Sequence, residues 1–169
     1  VFTGAMDYFA NVQGVQWFAE EIWPKVKREV PTAEFWIVGS KPTKEVQALE
    51  SLDGIVVTGF VDDVRPYLQH SNVVVVPLQL ARGVQNKVLE ALAMDLPVLA
   101  TPQALRGLDG ALPDTAKSIS ETAKFAEATA RALRVDAEQS VGAGRTYVLQ
   151  NYNWQKNLSE IERILSAGF

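Results

Sequence analysis

The run 82–90, RGVQNKVLE, places a guanidinium, a carboxamide, an ammonium and a carboxylate close together in an otherwise apolar stretch. On a helix beginning near Val84 or Gln85, Asn86 and Glu90 are i,i+4 and Lys87 and Glu90 are i,i+3. All three then share one face. Free N–H groups at a helix start, together with the positive end of the dipole, make a seat for phosphate. Lys87 adds a full charge to that seat, Gly83 lets backbone approach closely, and the N–H groups of Val84, Gln85 and Asn86 assist. Glu90, one turn deeper, can accept hydrogen bonds from a diol such as a ribose. The plainer alternative is a solvated Lys87–Glu90 pair worth about 0.3–0.5 kcal/mol, with Asn86 merely near a cap.

Other polar groups are less specific. VFTGAMDYFAN at 1–11 sets a glycine between a strand and a helix, which suits a phosphate loop but is not G-x-G-x-x-G. A turn with Asp7 or Asn11 as cap explains it equally. FWIVGS ends the second strand in Gly39 and Ser40 rather than an acid, so the dinucleotide fingerprint is absent. Asp62 and Asp63 can bind a divalent metal or read a base edge. Pro66 just after them favours helix capping, and no further metal ligand stands at workable spacing. His70, the only histidine, sits at a helix end. Trp17, Trp23, Trp36 and Trp154 fall on apolar faces, and Lys25, Lys27 and Arg28 form a solvated basic run. One histidine and no cysteine cannot assemble a nucleophilic triad.

These groups need a scaffold, and the pattern supplies one. Strands are expected at 1–4, 34–38, 55–58, 73–76 and 97–100, with a weaker one at 116–119. They are apolar on both alternating positions, as in a parallel sheet covered on both faces. Helical periodicity fits 12–29, 43–51, 64–70, 85–94, 121–135, 138–150 and 155–166. The expectation is one α/β domain over 1–169, a Rossmann-like doubly wound parallel sheet with helices on both faces. Ligands in such sheets bind beyond the carboxyl ends of the strands. That selects the loops 4–11, 39–43, 59–65 and 77–86, the last running into the helix of Lys87.

Composition narrows the function classes. The 169 residues are 47% hydrophobic, enough for one sizeable core, and carry a net charge of −4. An acidic chain is a poor partner for a nucleic-acid backbone. Its short apolar runs do not approach the roughly 20 residues of a membrane span, and no signal peptide is visible. The absence of cysteine fits a reducing compartment. VFTG at 1–4 reads as a core strand starting at the first residue, an abrupt opening that suggests a piece cut at a domain boundary.

The run VVTGFVDDVRPYLQHSNVVVVPLQLARGVQNKVLEALAMDLPVLAT resembles the C-terminal, donor-binding domain of family 4 (group 1) glycosyltransferases of the GT-B fold. The likeness spans the chain; it is specific over 55–102 and loose beyond 110. The GAMDYFAN opening resembles bacterial sugar transferases of exopolysaccharide or exosortase-type systems. The resemblance implies retaining, metal-independent hexosyl transfer from a nucleotide diphosphate sugar, with no cofactor besides that substrate. The acceptor, a glycan or lipid-linked sugar, would sit on an N-terminal domain absent here. The implied setting is cytoplasmic, or peripheral at the inner membrane for the full-length protein, with no integral membrane segment. The final helix, 153–167, would cross back to the other domain.

Carried over by position, Glu90 matches the second glutamate of the family's E-x7-E motif, which holds the ribose hydroxyls. Gly83 matches the glycine after the first glutamate, Val61 the loop that meets the base, and Gly4 the glycine opening the first loop. Three positions depart. Arg82 replaces the glutamate that grips the sugar, and Ala5 and Asn11 replace an arginine and a lysine that hold the diphosphate. The expectation is a phosphate clamp moved across the site, with Lys87 and Arg82 as its catalytic cations. Two other classes stay open, an epimerase-like enzyme on the same architecture and a non-catalytic nucleotide-sugar-binding or scaffold domain.

Overall fold

A computed structural model of the chain describes residues 1–134 and 142–153, together with 158, 163 and 166. The six expected runs form six short strands: β1 (Phe2–Thr3), β2 (Phe35–Val38), β3 (Ile55–Gly59), β4 (Val74–Val76), β5 (Val98–Ala100) and β6 (Ala116–Ser118). β1 to β3 pair in one parallel ladder and β4 to β6 in another. Val1 joins them, its nitrogen donating to the Val73 carbonyl and its carbonyl accepting from the Val75 N–H, each at 2.9 Å. The strand order is therefore β3-β2-β1-β4-β5-β6, and the direction of winding reverses between β1 and β4. That reversal opens a crevice at the carboxyl ends of the strands.

The helices cover both faces. α1 (Phe9–Trp17) passes through a π turn at Phe18–Ile22 into α2 (Trp23–Glu29). Pro24 has no N–H to give a regular turn, and the wider register carries the helix past it, Trp23 N–H bonding to Phe18 O. α3 (Lys44–Ala48), α4 (Arg65–Gln69), α5 (Asn86–Ala93), α6 (Pro102–Leu105), α7 (Thr122–Arg134) and α8 (Ala143–Asn151) follow. The core centres on Phe2, Phe18, Phe35 and Phe125, all at most 2% exposed. The Phe18 ring lies 4.6 Å from that of Phe35 and 5.7 Å from that of Phe125, which ties α7 to the sheet. α5 buries Val88, Ala91 and Leu92. Gly144 lets α8 press on it, since a Cβ there would stand 2.6 Å from the Leu92 carbonyl oxygen.

All six expected strands form, including the weak one. The first helix begins at Phe9 rather than 12, because Tyr8 and Phe9 are exposed and leave no apolar periodicity to read. α6 was not foreseen. Thr101 caps it by accepting from Ala104 N–H, but its four residues, Pro102–Leu105, are too few to show a period. The helix expected at 155–166, the crossing segment 153–167 and Trp154 lie, apart from 153, 158, 163 and 166, outside the described residues. Among those described, no helix is long and apolar enough to cross a membrane.

Candidate functional site

Each predicted loop has a local reason for its shape. In the first, the chain leaves β1 at Gly4 and keeps pairing with the second loop, Gly4 N–H bonding to Val38 O at 3.0 Å and Met6 N–H to Ser40 O at 2.8 Å. The two backbones come so close that a Cβ on Gly39 would stand 1.8 Å from the Gly4 oxygen. Gly59 turns the third loop with φ +70° and delivers Phe60, Val61 and Val64 to the crevice. The fourth loop is held at its base by the Thr101 hydroxyl, which donates to the Leu78 carbonyl. Its turn uses Gly83 at φ +65° and is braced by Gln85 Nε2, which donates to Arg82 O at 3.2 Å.

These segments converge on one groove of about 360 Å³, lined by Thr3, Gly4, Val38, Gly39, Ser40, Phe60, Val61, Val64, Asn86, Lys87 and Glu90. α5 begins at Asn86, later than the expected 84 or 85, and no side chain caps its N-terminus. Its first N–H groups therefore look for an acceptor in the groove.

Lys87 does not form the solvated pair with Glu90 that spacing allows. Its ammonium turns inward, 2.6 Å from Asn11 Oδ1 and 4.2 Å from the centre of the Phe2 ring. Burial pushes it down from 10.5 to about 8, against the opposing pull of the Glu90 charge. Asn11 does not cap α1; it is 6% exposed and its Nδ2 donates to the Ala5 carbonyl at 2.9 Å. Glu90 is exposed and lines the groove one turn along α5. Gly4 and Val61 also line it; Arg82, Gly83, Val84 and Gln85 stand outside its lining. Arg82, Gly83 and Val84 are exposed on the rim, and Gln85 is the N-cap residue of α5.

Asp7, Asp63 and His70 have structural partners. Asp7 pairs with Lys41 at 3.4 Å, and Asp63 accepts from Arg65 N–H while pairing with its guanidinium at 2.8 Å. Among the described residues no group of three acidic or histidine side chains could hold a metal. His70 Nδ1 meets Pro66 O at 2.7 Å. A larger cavity, about 610 Å³, lies at the opposite end of the sheet, where Val1, Ala33, Glu34 and Val73 enter or precede strands.

Residue reasoning missed Phe2, Ala5 and Gly107. Phe2 and Ala5 act on Lys87 and Asn11 through a ring face and a carbonyl, which no motif announces. Gly107 backs the fourth loop, since a Cβ there would stand 2.2 Å from Gly83 O.

Sheet order and groove together define a Rossmann-like α/β domain with a half-buried cation at its switch point. The chain belongs to the group 1 glycosyl transferases, whose sequence model matches residues 1–134. Among curated proteins none matches in sequence. Similar solved structures include a glycosyltransferase from Rickettsia africae ESF-5, at 14% identity and a TM-score of 0.71, covering 99% of this chain and 48% of that one. Sucrose-phosphate synthase from Thermosynechococcus elongatus follows at 20% identity and 0.71, covering 98% and 45%. HepE from Anabaena, in complex with UDP and glucose, gives 12% and 0.71, covering 99% and 48%. At these identities the likeness shows the fold, and the chain spans less than half the length of each protein.

Proposed function

We propose that this chain is the donor-binding half of a group 1 glycosyltransferase, holding a nucleotide diphosphate sugar in the groove between β1 and α5. One observation carries the reading: the four β-to-α loops converge on a groove whose one ammonium among the described residues, the half-buried Lys87, stands beside an uncapped helix start. The diphosphate would lie against Lys87 and the first N–H groups of α5, with Arg82 reaching in from the rim. Glu90 would accept from the ribose hydroxyls, and the Val61 loop would meet the base. Leaving-group stabilisation is the chemistry this half supplies, through fixed donors aimed at the developing negative charge. Asn86 and Gly4 line that seat, and Gly83, Val84 and Gln85 shape the turn that leads into it. The acceptor, a glycan or lipid-linked sugar, and the choice of a retaining, metal-independent course belong to the whole enzyme. Its setting in exopolysaccharide assembly on the cytoplasmic side follows the same resemblance. The reading is supported by family membership and by relatives of the same fold, such as HepE, solved with UDP-glucose.

A thermal-shift and titration panel of nucleoside diphosphates and their sugars tests it. UDP or GDP at a hundredfold excess over Kd is expected to stabilise the fold by about 2.7 kcal/mol. Lys87→Ala should weaken binding roughly 10- to 100-fold, the value of a charge-assisted hydrogen bond. If Lys87→Ala and Arg82→Ala bind as tightly as the parent, the relocated clamp is wrong. A protein that no nucleotide sugar stabilises is a scaffold instead.

A further inference from the structure

We propose that Asn11 is a positioning residue for Lys87, its carboxamide locked by the Ala5 carbonyl so that one oxygen fixes where the ammonium stands. The argument starts from the polarity of an amide, which donates at one end and accepts at the other. Nδ2 of Asn11 is committed to Ala5 O at 2.9 Å, so Oδ1 must face Lys87 Nζ, and it does at 2.6 Å. Reversing the group would set an NH2 against an ammonium and an oxygen against a carbonyl. The backbone of the first loop thus dictates the orientation of a side chain that is only 6% exposed. Gly4 gives the pair its room, since a Cβ there would stand 2.7 Å from Asn11 Nδ2 and 3.0 Å from Lys87 Nζ. The Phe2 ring closes the other side at 4.2 Å.

The choice of a neutral acceptor has a consequence. An ammonium has three donors; one goes to Asn11, and the charge is left uncancelled for an anion in the groove. A carboxylate at this position would hold Lys87 equally well but neutralise it. An apolar side chain would release it. Among the described residues Glu90 is the only other ionisable side chain lining the groove, and it lies on α5 itself. Asp7 of the first loop is engaged with Lys41.

What the held cation is for rests on the diphosphate reading; the positioning itself can be measured without a nucleotide. Protein labelled at lysine Cε is titrated by NMR, with Lys87→Arg identifying the signal. Asn11→Asp is expected to move the Lys87 midpoint upward and Asn11→Leu downward. With UDP as probe, Asn11→Asp should weaken binding roughly tenfold or more and Asn11→Leu roughly two- to tenfold. The Asn11→Leu loss should vanish in a Lys87→Ala background, whereas Asn11→Asp there adds an uncompensated charge. Should Asn11→Leu fail to fold, the Asn11→Asp arm decides alone. An unmoved midpoint overturns the proposal, as does an equal loss of UDP affinity from Asn11→Leu with and without Lys87. Shifted midpoints in a protein that ignores UDP would support the positioning role and sink the diphosphate reading.

Discussion

Lys87 and Asn11, 76 residues apart in sequence, meet at 2.6 Å and join the first β-to-α loop to the start of α5. The contact stands at the reversal of winding between β1 and β4, where a doubly wound sheet opens its crevice. It brings the Lys87 ammonium to the mouth of β1, and the consequences below follow from its partial burial.

Anion affinity should depend on pH in a window set by that ammonium. Its value in the free protein is lowered to about 8, because burial disfavours the charged form more than Glu90 favours it. Nucleoside diphosphate affinity is therefore expected to hold up to about pH 7.5 and to fall approaching tenfold per pH unit above 8. Calorimetric titrations across pH 6.5–9.5 check this. Lys87→Arg, which stays charged, should bind with no such fall over the same range.

Fold stability should move in the opposite sense. Lys87 takes up a proton less readily folded, at about 8, than unfolded, near the ordinary 10.5. Between those values the unfolded chain binds more protons, so unfolding free energy rises with pH. The cost of the buried charge is fully present below 8 and is relieved as pH climbs towards 10.5. Lys87→Met lacks this linkage. The melting temperature of the parent minus that of Lys87→Met is expected to increase from pH 7 to pH 10, since every other titration cancels in the difference. A flat difference would mean that the ammonium is solvated.

Much of the scaffold was legible in residue pattern. Runs such as Val73–Val76 and Phe35–Val38 are apolar on both faces, which only a covered sheet explains, and the loops after them had to share one end. Gly4 and Gly39 were legible only as the glycines that end β1 and β2; the structure shows Gly39 facing Gly4. The direction of Lys87 was not legible. Spacing on α5 pointed it towards Glu90, and the competing partners, Asn11 and the Phe2 ring, come from another part of the chain. α6 escaped because Pro102–Leu105 spans about one turn, and a single turn has no period. Arg82, equal to Lys87 in the motif, is exposed on the rim because the left-handed Gly83 turns the chain between them.

The backing of the fourth loop yields a prediction away from the groove. Gly107→Ala would place a methyl group 2.2 Å from Gly83 O, which the loop can avoid only by shifting. Loss of about 1–3 kcal/mol of stability is expected, in the range of overpacking. UDP affinity should fall as well, although residue 107 does not line the groove. Gly83→Ala meets nothing within 4 Å and adds only the strain of φ +65°, about 1–2 kcal/mol. Denaturant melts of both variants, each paired with a UDP titration, separate displacement of the loop from strain within it.

The most direct test of the central claim is a crystal structure of the protein with UDP. The account predicts diphosphate oxygens within hydrogen-bond reach of Lys87 Nζ and the first N–H groups of α5, and ribose hydroxyls on Glu90, with the Lys87–Asn11 contact kept. A nucleotide ordered elsewhere, for instance in the cavity between Trp36, Tyr67 and Val73 at the opposite end of the sheet, would contradict it.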